Sequence, residues 1–537
     1  MKNIKYIFLS AVLLGFTACN NDDDASSAAA ENSYPDLVTG SADFSTYVSV
    51  GNSLTSGYTD NALFIAAQNN SFPNTLASKF ALAGGGTFTQ PLMNDNFGGI
   101  AVAGNRILEP RLVTIGSAPV ALESIIGPVT VSTDLAINNP TGPFNNMGVP
   151  GAKSFHLLAP GYGNLGNLSA GLANPYFIRM ASEPNATILA DAVAQSPTFF
   201  SLWIGNNDIL GYATSGGDIT LDQITDQATF DATINALVST LTANNAKGVM
   251  ANIPYVTTIP HFTTVPHNPL DPSNPDFGPQ IPTLNSIFGA INLIYDALGQ
   301  SQRNIVFSET EASPVVIKDE SLTDISAQIE YALINSPTFP AFIAQFGLPA
   351  AAAPGVANLL ATTYGQTRQA TDEDLFVLPS SSIIGTLNSD YAAALELANL
   401  PPALAAQFAI EGITLPLADK WVLLPSEQVE IAAATDAFNA TLQNAATNAG
   451  LAFVDANALM TQVANGGYAE GNFILTSDLV TGGAFSLDGV HPTSRGYALI
   501  ANLFMKAIDA TYGSNFEASG NLVDIGDYPT NYNPTLQ

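Results

Sequence analysis

One cysteine and four histidines are the whole thiol and imidazole complement of this 537-residue chain. Cys19 alone cannot close a disulfide within the chain, and a Cys-based zinc site is excluded. His156, His261, His267 and His491 are too scattered for a His-rich metal centre, so neither metal nor cofactor is implied. Positive charge is also scarce: 14 Lys and Arg stand against 45 Asp and Glu, for a formal net charge of −31. Nucleic acid and anionic lipid both need clustered Lys and Arg, which excludes charge-driven binding to either. Charged residues make up only 11% of the chain and hydrophobic ones 47%, the balance of a globular protein with a large core. No internal repeat of about 20 to 50 residues is visible. The chemistry is left to oxygen nucleophiles and a few imidazoles.

Lys2 and Lys5 precede an apolar run, Ile7 to Phe16, too short to span a bilayer and suited to a signal peptide. It leads into Gly15-Phe16-Thr17-Ala18-Cys19, which resembles the lipobox of bacterial lipoproteins, with Phe16 where Leu is usual. The resemblance implies a signal peptide over 1–18 and acylation of Cys19, which would leave the mature protein without a thiol. Asn20-Asn21-Asp22-Asp23-Asp24 and the Ser and Ala residues that follow form a flexible tether over 19–40. An acidic run after the lipidated cysteine resembles the surface-export signal of some Gram-negative lipoproteins. The expected location is the outer membrane, surface-exposed, with the lipid as membrane anchor.

Tyr47-Val48-Ser49-Val50-Gly51-Asn52-Ser53 reads as a strand that stops at a Gly-Asn turn and presents one serine. A helix is expected near Phe72 to Ala83, and residues 84–140 read as an insertion without assignable elements. Further strands are expected before Gly151, over Thr198 to Ile204, over Gly248 to Ile253 and over Leu451 to Asp455. Phe230, Ile234, Leu237 and Leu241 recur at helical spacing, as do Ile431, Phe438, Leu442 and Ala445, with Ser426 as N-cap. A last helix is expected from Ser494 to Ala510, then a surface strap over 513–537. This alternation implies an open, mostly parallel sheet with helices on both faces, built from 41–254 and 425–512. Residues 255–424 break the pattern and read as mainly helical, with helices near Leu284–Leu298, Leu322–Ile334 and Tyr391–Ile410, the last interrupted by Pro401-Pro402. They form either a subdomain packed on the sheet or a lid carrying an acyl-chain pocket.

Functional groups of such a sheet gather on loops at the carboxyl ends of its strands. Those loops offer Ser53, Gly151 and Asn207, and a C-terminal loop offers Asp488 and His491. Together they form a hydrolytic set: Ser53 as nucleophile, His491 as its base, and Asp488 to fix the imidazole. The backbone N–H groups of Ser53 and Gly151 and the Asn207 amide would hold an oxyanion. His156, His261 and His267 read as structural, Lys153 as solvated, and Phe200 and Trp203 as core.

Gly51-Asn52-Ser53-Leu54, Asn146-Met147-Gly148-Val149-Pro150-Gly151, Gly205-Asn206-Asn207-Asp208 and Asp488-Gly489-Val490-His491-Pro492 resemble, in order, the four blocks of the SGNH (GDSL) hydrolases. The resemblance implies a flavodoxin-like three-layer α/β/α core with the helical segment inserted, and an esterase or lipase acting on a small-molecule or lipid ester. It assigns the nucleophile to Ser53, the oxyanion donors to Gly151 and Asn207, and the acid and base to Asp488 and His491. Asn52 stands where the family usually has Asp, a turn residue whose role a side-chain oxygen can keep. Two other readings stay open: a carbohydrate O-acetylesterase, and a surface binding lipoprotein with a vestigial site.

Overall fold

Five short, mostly apolar strands form the central sheet of the computed structural model, which describes residues 34–116 and 118–537. They are β1 (Tyr47–Gly51), β2 (Asn146–Gly148), β3 (Phe199–Trp203), β4 (Lys247–Ala251) and β5 (Ala452–Val454). All neighbouring pairs are parallel, in the spatial order β2-β1-β3-β4-β5. The protein is therefore an α/β protein with a five-stranded parallel sheet, as the strand–helix alternation implied. Cys19, the signal peptide and most of the tether fall outside the described residues.

The helices that matter for the site are, in chain order, α1 (Ser53–Ser56), α2 (Phe72–Leu82), α3 (Ile188–Val193), α4 (Asn207–Thr214) and α5 (Gln227–Leu241). They continue with α6 (Ile281–Ala297), α7 (Ser326–Ile334), α8 (Ala353–Tyr364), α9 (Pro425–Ala449), α10 (Ala456–Ala464) and α11 (Ser494–Tyr512). Strand side chains alternate between two cores, as the two-residue period requires. Tyr47, Phe199, Val249 and Val454 face the layer of α2 and α11, with Phe80 and Phe504 buried there. Val48, Phe200, Leu202 and Met250 face the layer of α3, α5 and α9, where Phe230 stacks on Phe438 at 3.9 Å. Helices thus cover both faces, which is why the strands are buried almost throughout rather than half-polar.

Residues 265–424 bury a cluster of their own around Phe288, Tyr295, Ile329 and Tyr364, contributed by α6, α7 and α8. Tyr295 donates its hydroxyl to the Tyr364 carbonyl at 2.7 Å, which ties α6 to the end of α8. The helical stretch Tyr391–Ile410 is divided at Pro401-Pro402, as expected, into Ser389–Leu397 and Pro402–Gln407, because Pro402 can only begin a helix. Ser426 is not an N-cap: α9 starts one residue earlier, at Pro425, with Leu424 in the cap position. Pro at the first helical position gives up no hydrogen bond, and Glu427 accepts the Leu424 N–H at 2.7 Å in place of a capping hydroxyl. The region 84–140, unassigned from sequence, forms two small hairpins, Ile100–Val102 with Asn105–Leu108 and Leu112–Ile115 with Ala118–Ala121.

Beyond α11 the chain turns back as a strap. Phe516 and Ile525 are buried, and Arg111 and Asn96 donate to the carbonyls of Asn533 and Gln537 at 2.7 and 2.9 Å.

Candidate active site

β1 ends at Gly51 and the chain turns at once into α1. A Cβ on Gly51 would lie 2.3 Å from the Trp203 carbonyl of β3, so only glycine fits this close approach. Asn52 caps the new helix: its Oδ1 accepts the Leu54 N–H at 3.0 Å, and its amide donates to Asn206 Oδ1 at 3.4 Å. Asn52 therefore holds the turn through its side-chain oxygen, as expected of this replacement for Asp. Ser53 is the first helical residue, only 5% exposed, and its N–H has no acceptor within the helix.

Three of the expected residues meet in one chain of hydrogen bonds. Ser53 Oγ lies 2.9 Å from His491 Nε2, and His491 Nδ1 lies 2.9 Å from Asp488 Oδ2. Asp488 is boxed in: Oδ1 accepts the N–H groups of Val490 and His491, both at 2.9 Å, and the Ser486 hydroxyl at 3.0 Å. Burial pushes its carboxyl up, but the neighbouring His491 charge and these donors win and hold it well below the usual carboxylate range. An ionised Asp488 fixes the His491 proton on Nδ1 and leaves the Nε2 lone pair facing the serine hydroxyl. The distances lie within reach of proton transfer.

A turn not evident in the sequence completes the cage. Thr59 and Ala62 exchange both backbone hydrogen bonds, at 3.1 and 3.0 Å, across Asp60 (φ +52°) and Asn61 (φ +61°). Two successive left-handed residues make the turn that suits a hairpin, usually with glycine present. Here the strained pair aims one N–H at the acid and one at its hydroxyl donor: Asn61 N–H at Asp488 Oδ2 (2.9 Å) and Asp60 N–H at Ser486 Oγ (3.0 Å). Asp60 accepts the Leu487 N–H at 3.2 Å, and burial lifts its pKa to about 7. The only signal in the sequence is Asp60-Asn61, a weak turn pair without glycine. Tyr58, just before the turn, lays its ring 4.6 Å from the His491 ring and donates its hydroxyl to the Asn61 carbonyl at 2.6 Å.

Gly151 and Asn207 sit at the same rim, after β2 and β3. Asn207 donates one amide hydrogen to the Ala152 carbonyl at 2.9 Å, which orients the amide and leaves its second hydrogen for another acceptor. Asp208 locks the two loops together by accepting both the N–H and the hydroxyl of Ser154 at 2.7 Å. Gly151 is exposed, with φ +79°; it is brought to the rim through Ala152 and does not line the cavity beside Ser53.

That cavity, of about 110 Å³, has Ser53, Asn206, Asn207 and His491 as its polar lining. Its other side chains are apolar, among them Leu459, Met460 and Val463 of α10, Leu475, Phe485 and Leu499. From 255–424 only Val256 and Ile259 reach it, so α10 and α11 wall this cavity rather than the inserted helices. Trp203, expected in the core, also borders it and donates its indole N–H to the Asn252 carbonyl at 3.0 Å.

The remaining candidates are structural. His156 accepts the Lys153 N–H at 3.0 Å and stacks on Tyr162, and burial together with the Lys153 charge lowers its pKa to about 4. Lys153 is not solvated as expected: it pairs with Asp222 at 2.5 Å because the loop holding it is pinned by Asp208. His261 is buried and donates its backbone N–H to the Gly489 carbonyl at 3.0 Å, bracing the Asp488–His491 loop from behind. Among the described residues, Glu320, Asp419 and Glu427 have carboxylate oxygens within 4.8 Å of one another, a group able to approach a cation. None of the three lines the Ser53 cavity, and burial raises Asp419 and Glu427 toward their neutral forms.

Compared with known protein families, residues 342–504 match the model for GDSL-like Lipase/Acylhydrolase. This stretch holds Asp488, His491, α10 and most of α11, and it leaves out Ser53, Gly151 and Asn207. It begins inside the 255–424 segment and covers only the C-terminal part of the chain. No curated protein and no solved structure matches the chain.

Proposed function

With a GDSL-like acylhydrolase domain in its C-terminal part, a family that implies an esterase or acylhydrolase, we propose that this chain is a serine hydrolase of carboxylic esters. The observation that carries the reading is the hydrogen-bonded series Ser53–His491–Asp488, which sets the imidazole between the hydroxyl and a buried acid that favours a proton on Nδ1. In this reading Ser53 Oγ attacks the ester carbonyl as His491 Nε2 takes its proton. The tetrahedral intermediate collapses, the alcohol leaves with that proton, and water attacks the acyl-serine by the same route. The Ser53 N–H and the second Asn207 amide hydrogen stabilise the oxyanion, each worth about 3–4 kcal/mol in such sites, while Gly151, set at the rim and outside the cavity, is the weaker third candidate. The five-stranded order with helices on both faces supports a flavodoxin-like three-layer core over 41–254 and 425–512, with 255–424 inserted.

The test is hydrolysis of p-nitrophenyl butyrate by the full chain and by Ser53→Ala. Loss of at least about a thousandfold in kcat, with an unchanged thermal midpoint, is expected of a nucleophile. Retention of most of the turnover would move the nucleophile elsewhere. A carbohydrate O-acetylesterase is the weaker alternative, because the cavity beside Ser53 offers few partners for sugar hydroxyls; a vestigial binding protein would not need an ionised, five-donor acid.

The outer-membrane lipoprotein reading rests on the charged and apolar leader, on Gly15-Phe16-Thr17-Ala18-Cys19 and on the acidic run that follows Cys19. Among the described residues no helix is long and apolar enough to cross a membrane, so in this proposal attachment falls to the Cys19 lipid. Cys19→Ser should leave the precursor unprocessed and unlabelled by radioactive palmitate in bacteria; normal labelling would refute the lipobox.

A further inference from the structure

The cavity beside Ser53 carries information about what the acyl group is. It opens at Ser53, Asn207 and His491, so whatever fills it is attached to the carbonyl under attack or to its leaving oxygen. Beyond those residues and Asn206 every lining side chain is apolar, and the one remaining polar hydrogen, on the Trp203 indole, is already donated to Asn252. A hydroxyl or a charge placed there would lose its water and find no partner, which is strongly unfavourable. No Lys or Arg lines the wall, so an acidic substituent is excluded as well.

Volume sets the length. An apolar cavity of about 150 Å³ accepts benzene, six carbons, so 110 Å³ seats about four to five chain carbons past the carbonyl. Acetate would leave the space nearly empty. Palmitate would have to push most of its chain back out into water.

We propose that this cavity is an acyl pocket for a neutral, unsubstituted short-to-medium chain, about five to six carbons in all, with Met460 and Val463 of α10 setting the length. The proposal rests on the ester-hydrolase reading and narrows its substrate to short- and medium-chain fatty acyl esters. Met460 and Val463 lie one turn apart on α10, are nearly fully buried, and are held there by packing rather than by hydrogen bonds. Their size therefore controls the room available without disturbing Ser53 or His491, which are fixed by separate loops.

The experiment compares kcat/KM on p-nitrophenyl acetate, butyrate, hexanoate, octanoate, laurate and palmitate for the full chain, Met460→Ala, Val463→Phe and Ser53→Ala. Each methylene buried should raise kcat/KM by about fourfold until the cavity is full. The expected profile climbs from acetate, peaks between butyrate and octanoate, and falls at least tenfold by palmitate. Met460→Ala should move the peak about two to three carbons longer, and Val463→Phe should move it shorter; if the bulky variant fails to fold, the alanine variant decides alone. A Ser53-dependent profile that is flat, confined to acetate or still rising at palmitate would overturn the acyl pocket while leaving the hydrolase reading intact. So would a peak that neither variant moves. Absence of Ser53-dependent turnover at every length would instead overturn the hydrolase reading, and the pocket with it.

Discussion

Replacing Asp488 by Asn removes a charge with almost no change of shape, and the donors caged around it decide how the site responds. The amide must choose which oxygen to give up. Nitrogen at the Oδ1 position would face three donors: the N–H groups of Val490 and His491 and the Ser486 hydroxyl. Nitrogen at the Oδ2 position faces only the Asn61 N–H and His491 Nδ1, so that orientation prevails. His491 Nδ1 must then accept rather than donate, its proton moves to Nε2, and the base presents a hydrogen to Ser53 Oγ instead of a lone pair. A flipped tautomer of this kind costs about 10⁴ in kcat, or about 5.5 kcal/mol of transition-state stabilisation. Folding also suffers, because the Asn61 N–H is left facing another donor and the Oδ1 bonds lose their charge, for about 2–4 kcal/mol. Initial rates on p-nitrophenyl butyrate, with thermal unfolding alongside, measure both effects. Ser486→Ala is the control: it removes one donor from Oδ1, leaves the tautomer alone, and should cost less than about tenfold. If Asp488→Asn kept more than a tenth of the wild-type kcat, the tautomer argument would fail and another group would be orienting His491.

The remaining predictions address the rim and the strained turn. Asn207→Ala should lower kcat by about 10²–10³ with little change in KM, since its second amide hydrogen is wanted only by the oxyanion; an effect confined to KM would assign Asn207 to substrate binding. Asp60 makes stability depend on pH: burial raises its pKa from 3.8 to about 7, so the folded chain keeps a proton that the unfolded chain releases. Stability is therefore lost as pH climbs between those values, at about 1.4 kcal/mol per pH unit, for a total of the order of 4 kcal/mol at pH 8. Asp60→Asn, which tolerates the left-handed backbone and keeps an acceptor for Leu487, should raise the thermal midpoint at pH 8 and leave it unchanged at pH 4. An equal gain at both pH values would show that the carboxyl is not the cause.

The strands and the residues at their ends are legible because period and punctuation are local. Phe199 to Trp203 is a largely apolar run closed by Gly205-Asn206, and nothing else in the chain is needed to recognise it. What the sequence hides is what depends on distant contacts. Asp60-Asn61 becomes a hairpin turn only because Ser486 and Asp488 accept its two N–H groups. α10 is hidden because Asp455, its cap, also reads as the end of a strand, yet that helix supplies a wall of the cavity. Lys153 reads as solvated because Asp222, its partner, lies 69 positions away. The 255–424 segment reads either as a packed subdomain or as a lid, because apolar helices suit both. Those helices bury their apolar faces on one another, and sequence cannot distinguish a self-contained core from a cover.

Ser53 and His491 are separated by 438 positions, and under the proposed ester-hydrolase reading that spacing governs when the molecule can act. During synthesis the serine emerges 438 positions ahead of its base and stays without it until that stretch has been made. Closing so long a loop comes late in folding, because its entropic cost must be met by contacts already formed. Until β5 and α11 dock and carry the Asp488–His491 loop onto β1, the serine is an ordinary alcohol. No N-terminal fragment, however well folded, can cleave an ester by this route, so a nascent chain is harmless to any ester it meets before folding is complete.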